Sequence, residues 1–94
     1  MKIDWHEEKQ QRNIAKHKLD FSFAWYACTD PLAVVVYDRY ENGEHRYHAI
    51  GVVGGKCLVV VHTHPDPNDE DWIRVIGLRE ATAHERKRYE EDRD

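Results

Sequence analysis

Several of the residues that most often announce a chemistry are scarce in this chain. It has 2 cysteines, 3 prolines and a single serine in 94 residues. Cys28 and Cys57 stand in apolar surroundings without C-x-x-C spacing, so they read as small buried hydrophobes in a reducing compartment rather than a disulfide or a zinc site. The one serine, Ser22, lies in an apolar helical stretch with no elbow motif around it, which excludes a hydrolytic triad. Gly54-Gly55 is a hairpin turn and not a Walker sequence, so no phosphate-cradling loop is present. No apolar run is long enough to span a bilayer and no signal peptide opens the chain, and the expectation is a cytoplasmic protein without membrane contact. Positive charge is not in excess either: 14 Lys and Arg against 18 Asp and Glu give a net charge of -4. That excludes a generally basic nucleic-acid coat. A local basic patch is still allowed, because the acids gather at 66–71 and 90–94.

What is there fits one small soluble domain with a single modest core: 40% of the residues are apolar and 34% charged. Met1 to Asp4 reads as a short edge strand, and Trp5 to His17 as a helix capped by Asp4. On that helix Trp5, Lys9, Asn13 and Lys16-His17 share a mostly polar face, which is either solvated or a binding surface. Asp20 caps a short second helix whose Phe21, Ala24, Trp25 and Cys28 form a core stripe, and Asp30-Pro31 stops it. Strands follow at Leu32–Asp38, Arg46–Val53 and Cys57–Thr63, joined by the turns Glu41-Asn42-Gly43 and Gly54-Gly55. On the middle strand Arg46, His48, Ile50 and Val52 share one face, and Tyr47, Ala49, Gly51 and Val53 the other. After an acidic loop at His64–Asp71, the last strand, Trp72–Leu78, feeds a helix. Thr82-Ala83-His84-Glu85 is its capping box. That helix is expected to bury little, to present Arg86, Lys87, Arg88 and Tyr89 to something polar, and to fray at Glu90-Glu91-Asp92. The resulting fold class is α+β: two N-terminal helices, an antiparallel sheet of four strands (five with Met1–Asp4) and a C-terminal helix, the helices on one face of the sheet.

Two groups of side chains could carry chemistry. His62-Thr63-His64-Pro65, followed by Asp66, Asp69, Glu70 and Asp71, is similar to the His-x-His-Pro core of the JAMM metalloproteases. That family needs a serine and a ligating aspartate about ten residues on, where Trp72 to Val75 supply neither, so no metal or other cofactor is expected. The second group is Lys9, His17, Arg46, His48, His62, Arg74, Arg79 and Tyr89. Metal-free RNA cleavage needs such a set: a base for the 2′-OH proton, and cations for the charge that builds on phosphorus. Arginine offers a planar fork of donors suited to phosphate. Arg74 and Arg79, five apart, point opposite ways in a regular strand unless Gly77 marks a bulge that re-aims one of them.

Read together, these residues resemble the BrnT family of type II toxins. The likeness runs through Trp5-x-x-x-Lys9-x-x-x-Asn13-x-x-Lys16-His17, Phe21 and Asp30-Pro31-Leu32. It continues in Arg46, Ala49-Ile50-Gly51, Val59-Val60-Val61, Ile73-Arg74 and Arg79-x-Ala81-Thr82-x-x-Glu85-Arg86-x-x-Tyr89. The resemblance implies a RelE-like fold and a metal-independent endoribonuclease that arrests growth. A BrnA-type antitoxin would neutralise it, and the complex would reach DNA only through the antitoxin. Arg46, Arg74, Arg79, His17, His62 and Tyr89 are then candidates for catalysis, and Lys9, Lys16 and Arg86 for RNA binding. The family usually has Gly where Lys18 stands and often Ser-Ala at Gly77-Leu78, and a short turn replaces the acidic loop. The rival reading is a degenerate toxin that only binds its antitoxin as a partner or corepressor.

Overall fold

Among the described residues, nine elements are organised around one five-stranded sheet. A computed structural model describes residues 1–91. In chain order the elements are β1 (Lys2–Trp5), α1 (Glu7–His17), a 3₁₀ turn (Phe21–Phe23), α2 (Ala24–Thr29), β2 (Val34–Glu41), β3 (Glu44–Val53), β4 (Lys56–Thr63), β5 (Trp72–Glu80) and α3 (Ala83–Glu91). The sheet order is β1-β5-β4-β3-β2. The β2–β5 meander is antiparallel as its alternating pattern requires, with Asn42 and Gly43 at φ 52° and 79° and Gly54 and Gly55 at 57° and 84° in its two tight turns.

The N-terminus departs from the expected order. β1 pairs with β5 in parallel, Trp5 opposite Val75, so the sheet is mixed rather than antiparallel. Trp5 is therefore in a strand, its ring edge-on to Phe21 at 6.0 Å, and α1 begins at Glu7 with His6 as N-cap. Asp4 caps nothing: its carboxylate accepts from Trp72 Nε1 and from the Arg74 guanidinium. In the second helical segment Asp20 does cap, accepting from Ser22 N. Its first turn is 3₁₀, which shifts the phase of α2, so Ala27 is buried where Trp25 was expected and Trp25 is 44% exposed.

The helices lie on both faces of the sheet, not one. Phe21, Ala24, Ala27, Ala49, Leu58, Val60, Val75 and Leu78 form the core under α1 and α2. Ile50, Val59, Ala81 and Tyr89 form a second core under α3. Adjacent residues Ala49 and Ile50, and Val59 and Val60, divide between the two, as strand alternation demands. α3 is thus anchored and not merely solvated: Tyr89 is 4% exposed and donates to Asp30 Oδ2 at 2.6 Å. The same Asp30 oxygen accepts from Val52 N, beyond the point where β2 begins to pair with β3. The expected fraying at Glu90-Glu91-Asp92 reaches Asp92, outside the described residues. α2 lies close on β3: a Cβ on Gly51 would sit 2.1 Å from the Ala27 carbonyl oxygen.

Two details of β5 shape the surface around Arg79. Val61 pairs with Gly77 but His62 with Val75, so Ile76 is an extra residue, a bulge beside Gly77. Beyond Trp5 the edge of β5 has no strand beside it, and α1 runs there instead. The Asn13 amide donates to Leu78 O at 2.8 Å and accepts from Leu78 N at 3.0 Å, as a neighbouring strand would.

α1 ends at Lys18 in the left-handed conformation, φ 61° and ψ 26°, its N–H bonded to Ile14 O. A side chain there is strained, whereas glycine is at home. Lys18→Gly is expected to raise the unfolding free energy by about 1 kcal/mol, read from urea denaturation; a less stable variant would contradict the assigned strain.

Candidate nucleic-acid interface

The bulge decides which cations meet. Thr63 and Val59, four apart on β4, face the same way, and so do their partners Arg74 and Arg79. Arg46, His48 and Ile50 lie on this same α3 side of the sheet, because Ile50 pairs with Val59 and His48 with Val61. Sharing a face does not bring the arginines together, however. Arg74 sits at the β1 edge, in a two-pronged pair with Asp4 at 2.9 and 3.2 Å that raises its already high pKa. Arg46 pairs with Glu41 at the β2 edge, and its buried Nε has no hydrogen-bond partner among the described residues.

Arg79 is different. Between α1 and the bulged stretch of β5 runs a groove of about 410 Å³, lined by Lys9, Arg12, Lys16, His17, Gly77 and Arg79, among others. Arg79 Nη1 and Nη2 donate to the two Glu85 carboxylate oxygens at 2.7 and 3.0 Å, and Nη1 also reaches Glu80 O at 3.4 Å. A guanidinium has five N–H donors, so this pairing fixes the fork and still leaves donors free of it. Glu85 is simultaneously the capping carboxylate of α3: it accepts from Thr82 N at 2.9 Å, and Glu85 N donates to Thr82 Oγ1 at 3.2 Å. Arg79 first, and then the Thr82 N–H, pull its pKa down to about 2 against the opposing effect of burial. The network continues past Glu85: His48 lies 3.8 Å from it and 3.5 Å from Asp38.

His17, at the C-terminal end of α1, lines the same groove as Arg79. Partial burial, then the Lys16 and Arg79 charges, push its pKa below the ordinary 6.5. That gives a neutral imidazole, able to take a proton, among cations able to hold an anion.

The remaining sequence candidates are placed elsewhere. His62 is on the opposite face, 3% exposed, stacked on Tyr47 with its Nδ1 at 3.2 Å from Val60 O. The Tyr89 hydroxyl is given to Asp30 in the second core, and Arg86 Nη1 donates to Ala81 O at 3.2 Å. The structure therefore gathers Lys9, Lys16, His17 and Arg79, and leaves Arg46, Arg74, His62, Tyr89 and Arg86 outside the groove. Sequence reasoning missed Arg12, and it missed the link from Glu85 to Arg79. The capping box was legible, but a salt bridge between residues six apart across a strand-to-helix corner follows neither the strand nor the helix period. His62 and His64 stand edge to face at 5.4 Å between ring centres, and no three His, Cys, Asp or Glu side chains among the described residues converge as a metal set.

A family model described as the ribonuclease toxin BrnT of type II toxin–antitoxin systems matches residues 5–85. No curated protein matches the sequence.

Burial of His62 carries a consequence for stability. Desolvation lowers its pKa to about 4, against 6.5 in an unfolded chain. Between those values the unfolded chain binds the extra proton, so stability falls as pH falls from 6.5 to 4, by up to about 1.4 kcal/mol per pH unit. Denaturation midpoints measured between pH 6.5 and 5.5, above the range in which Glu85 and Asp4 contribute, should show the slope in wild type and lose it in His62→Phe; an unchanged slope there would mean that His62 is not its source.

Proposed function

The chain belongs to the BrnT family of ribonuclease toxins of type II toxin–antitoxin systems, and on that premise we propose that the groove between α1 and β5 is where it binds and cuts RNA. The observation that carries this reading is the convergence of Arg79, His17, Lys9 and Lys16 on one groove in a protein whose net charge is -4. Lysines and Arg12 hold the phosphate backbone, a contact that weakens as salt rises. His17, kept neutral by its surroundings, takes the 2′-OH proton. The 2′-oxygen bonds to phosphorus, the bond from phosphorus to the 5′-oxygen breaks, and water protonates the departing oxygen. Arg79, oriented by Glu85, stabilises the charge on the phosphorane. These residue types supply base and electrophile from the chain itself, so cleavage proceeds in EDTA. A BrnA-type antitoxin neutralises the toxin in the cytoplasm, and DNA is contacted only through that antitoxin. Neither Tyr89, with its hydroxyl in the second core, nor His62, on the other face of the sheet, has a part in this mechanism.

Arg79→Ala is expected to slow cleavage of an RNA substrate by roughly a hundredfold or more and to abolish growth arrest on induction, with the fold retained by circular dichroism. In the wild-type rate profile the acid limb should fall below pH 6.5, where His17 gains its proton. Cleavage at the wild-type rate by Arg79→Ala, or activity lost on adding EDTA, would overturn the mechanism.

A further inference from the structure

A second cavity lies on the opposite face of the sheet from Arg79 and is about twice as large, about 920 Å³. The proposed RNA chemistry does not use it. Its wall is a run of rings. Tyr47 stacks on His62 at 5.8 Å and meets His64 edge-on at 5.1 Å, and His62 and His64 meet edge to face at 5.4 Å. Glu44, Glu70 and Asp71 are the acidic side chains that line it, together with the Met1 terminus, and no lysine or arginine side chain does among the described residues. Glu70 and Asp71 belong to the acidic loop between β4 and β5.

The imidazoles have a fixed polarity. His62 Nδ1 lies 3.2 Å from Val60 O, and His64 Nδ1 lies 3.3 Å from Trp72 O. A carbonyl oxygen only accepts, so in each neutral ring Nδ1 carries the hydrogen and Nε2 carries the lone pair. His62 is the firmer case, because burial keeps it neutral to about pH 4. The cavity thus offers acceptors, carboxylates and π faces. Each of these suits a cation with several N–H donors and a flat face, and the carboxylates repel phosphate. A metal ion fits less well, because the carboxylates and imidazoles do not converge on one point among the described residues.

We propose that this cavity receives an arginine side chain from a protein partner, its guanidinium stacked on Tyr47 and bonded to Glu70 and Asp71. The type II system implied by the family supplies a partner class, the antitoxin. The site is separate from the Arg79 groove, so its occupation does not depend on RNA cleavage. Charge sorts the two faces: polyanion to the groove by α1, cationic side chain to the cavity beside the acidic loop.

The test uses the whole chain, with N-acetyl-arginine amide as probe and the imidazole and Tyr47 resonances followed by NMR. Saturable shifts at His62, His64 and Tyr47 are expected in wild type and equally in Arg79→Ala. Affinity should weaken at least tenfold in the double variant Glu70→Gln/Asp71→Asn, whose changes fall on exposed loop positions. N-acetyl-glutamate amide and a short RNA should leave these resonances in place. No saturable shift with arginine, undiminished binding by the double variant, or RNA shifting the same rings would each overturn the proposal. Arginine binding intact with RNA cleavage unchanged in Arg79→Ala would overturn the toxin mechanism alone, and RNA cleavage by wild type without arginine binding would overturn this site alone.

Discussion

Glu85 holds three parts of the molecule in register. Its carboxylate takes two bonds from Arg79 and one from Thr82 N, and its own N–H is bound by Thr82 Oγ1. The first set fixes a guanidinium at the end of β5, and the second starts α3. A carboxylate held down to about pH 2 stays charged wherever the protein works, so the corner between strand and helix is also an electrostatic clamp. A charge-assisted two-pronged pair of this kind is directional as well as strong. It presents the remaining Arg79 donors in one orientation without the reorganisation that a free arginine would need before meeting an anion.

The groove also depends on how the sheet edges are closed. β1 covers only the first part of β5, and past Val75 the open backbone is met by the Asn13 amide. This brings α1, with Lys9, Lys16 and His17, against the bulge at Ile76 and beside Arg79. A full-length β1 would have put a strand where the groove is. Toward the other edge of the sheet Asp30 does the corresponding work: it satisfies Val52 N before β2 starts and receives the Tyr89 hydroxyl, tying α3 to the end of α2. Asn13 and Asp30 spend their side chains on backbone, which is why a polar α1 face and a helix-stopping aspartate are compatible with a well-formed core.

Much of this was readable from residue pattern. The meander, both tight turns, the division of β3 into an Arg46–His48 face and a Tyr47–Ala49 face, the capping box and the bulge beside Gly77 are local and periodic, and the family likeness agrees with the match over residues 5–85. Most of the misreadings turn on long-range pairing, and one on a local change of helix type. Nothing near Trp5 says that it lies parallel to Val75, 70 residues away, and Asp4 looks like a cap until Arg74 and Trp72 claim it. Trp25 fits a helical stripe until a 3₁₀ turn shifts the phase. The eight candidate cations, imidazoles and phenols were all chemically suitable; only the tertiary fold could part His17 and Arg79 from His62 on the far face and Tyr89 in the core.

The central claim is that His17 and Arg79 act on one phosphate as a unit. A double-mutant cycle tests it most directly: single-turnover RNA cleavage by wild type, His17→Ala, Arg79→Ala and the double variant, with folding checked for each. Groups that serve the same transition state are non-additive, so the double variant should be little slower than the worse single one. If the two losses multiply, His17 and Arg79 act independently and the groove is not a single catalytic site.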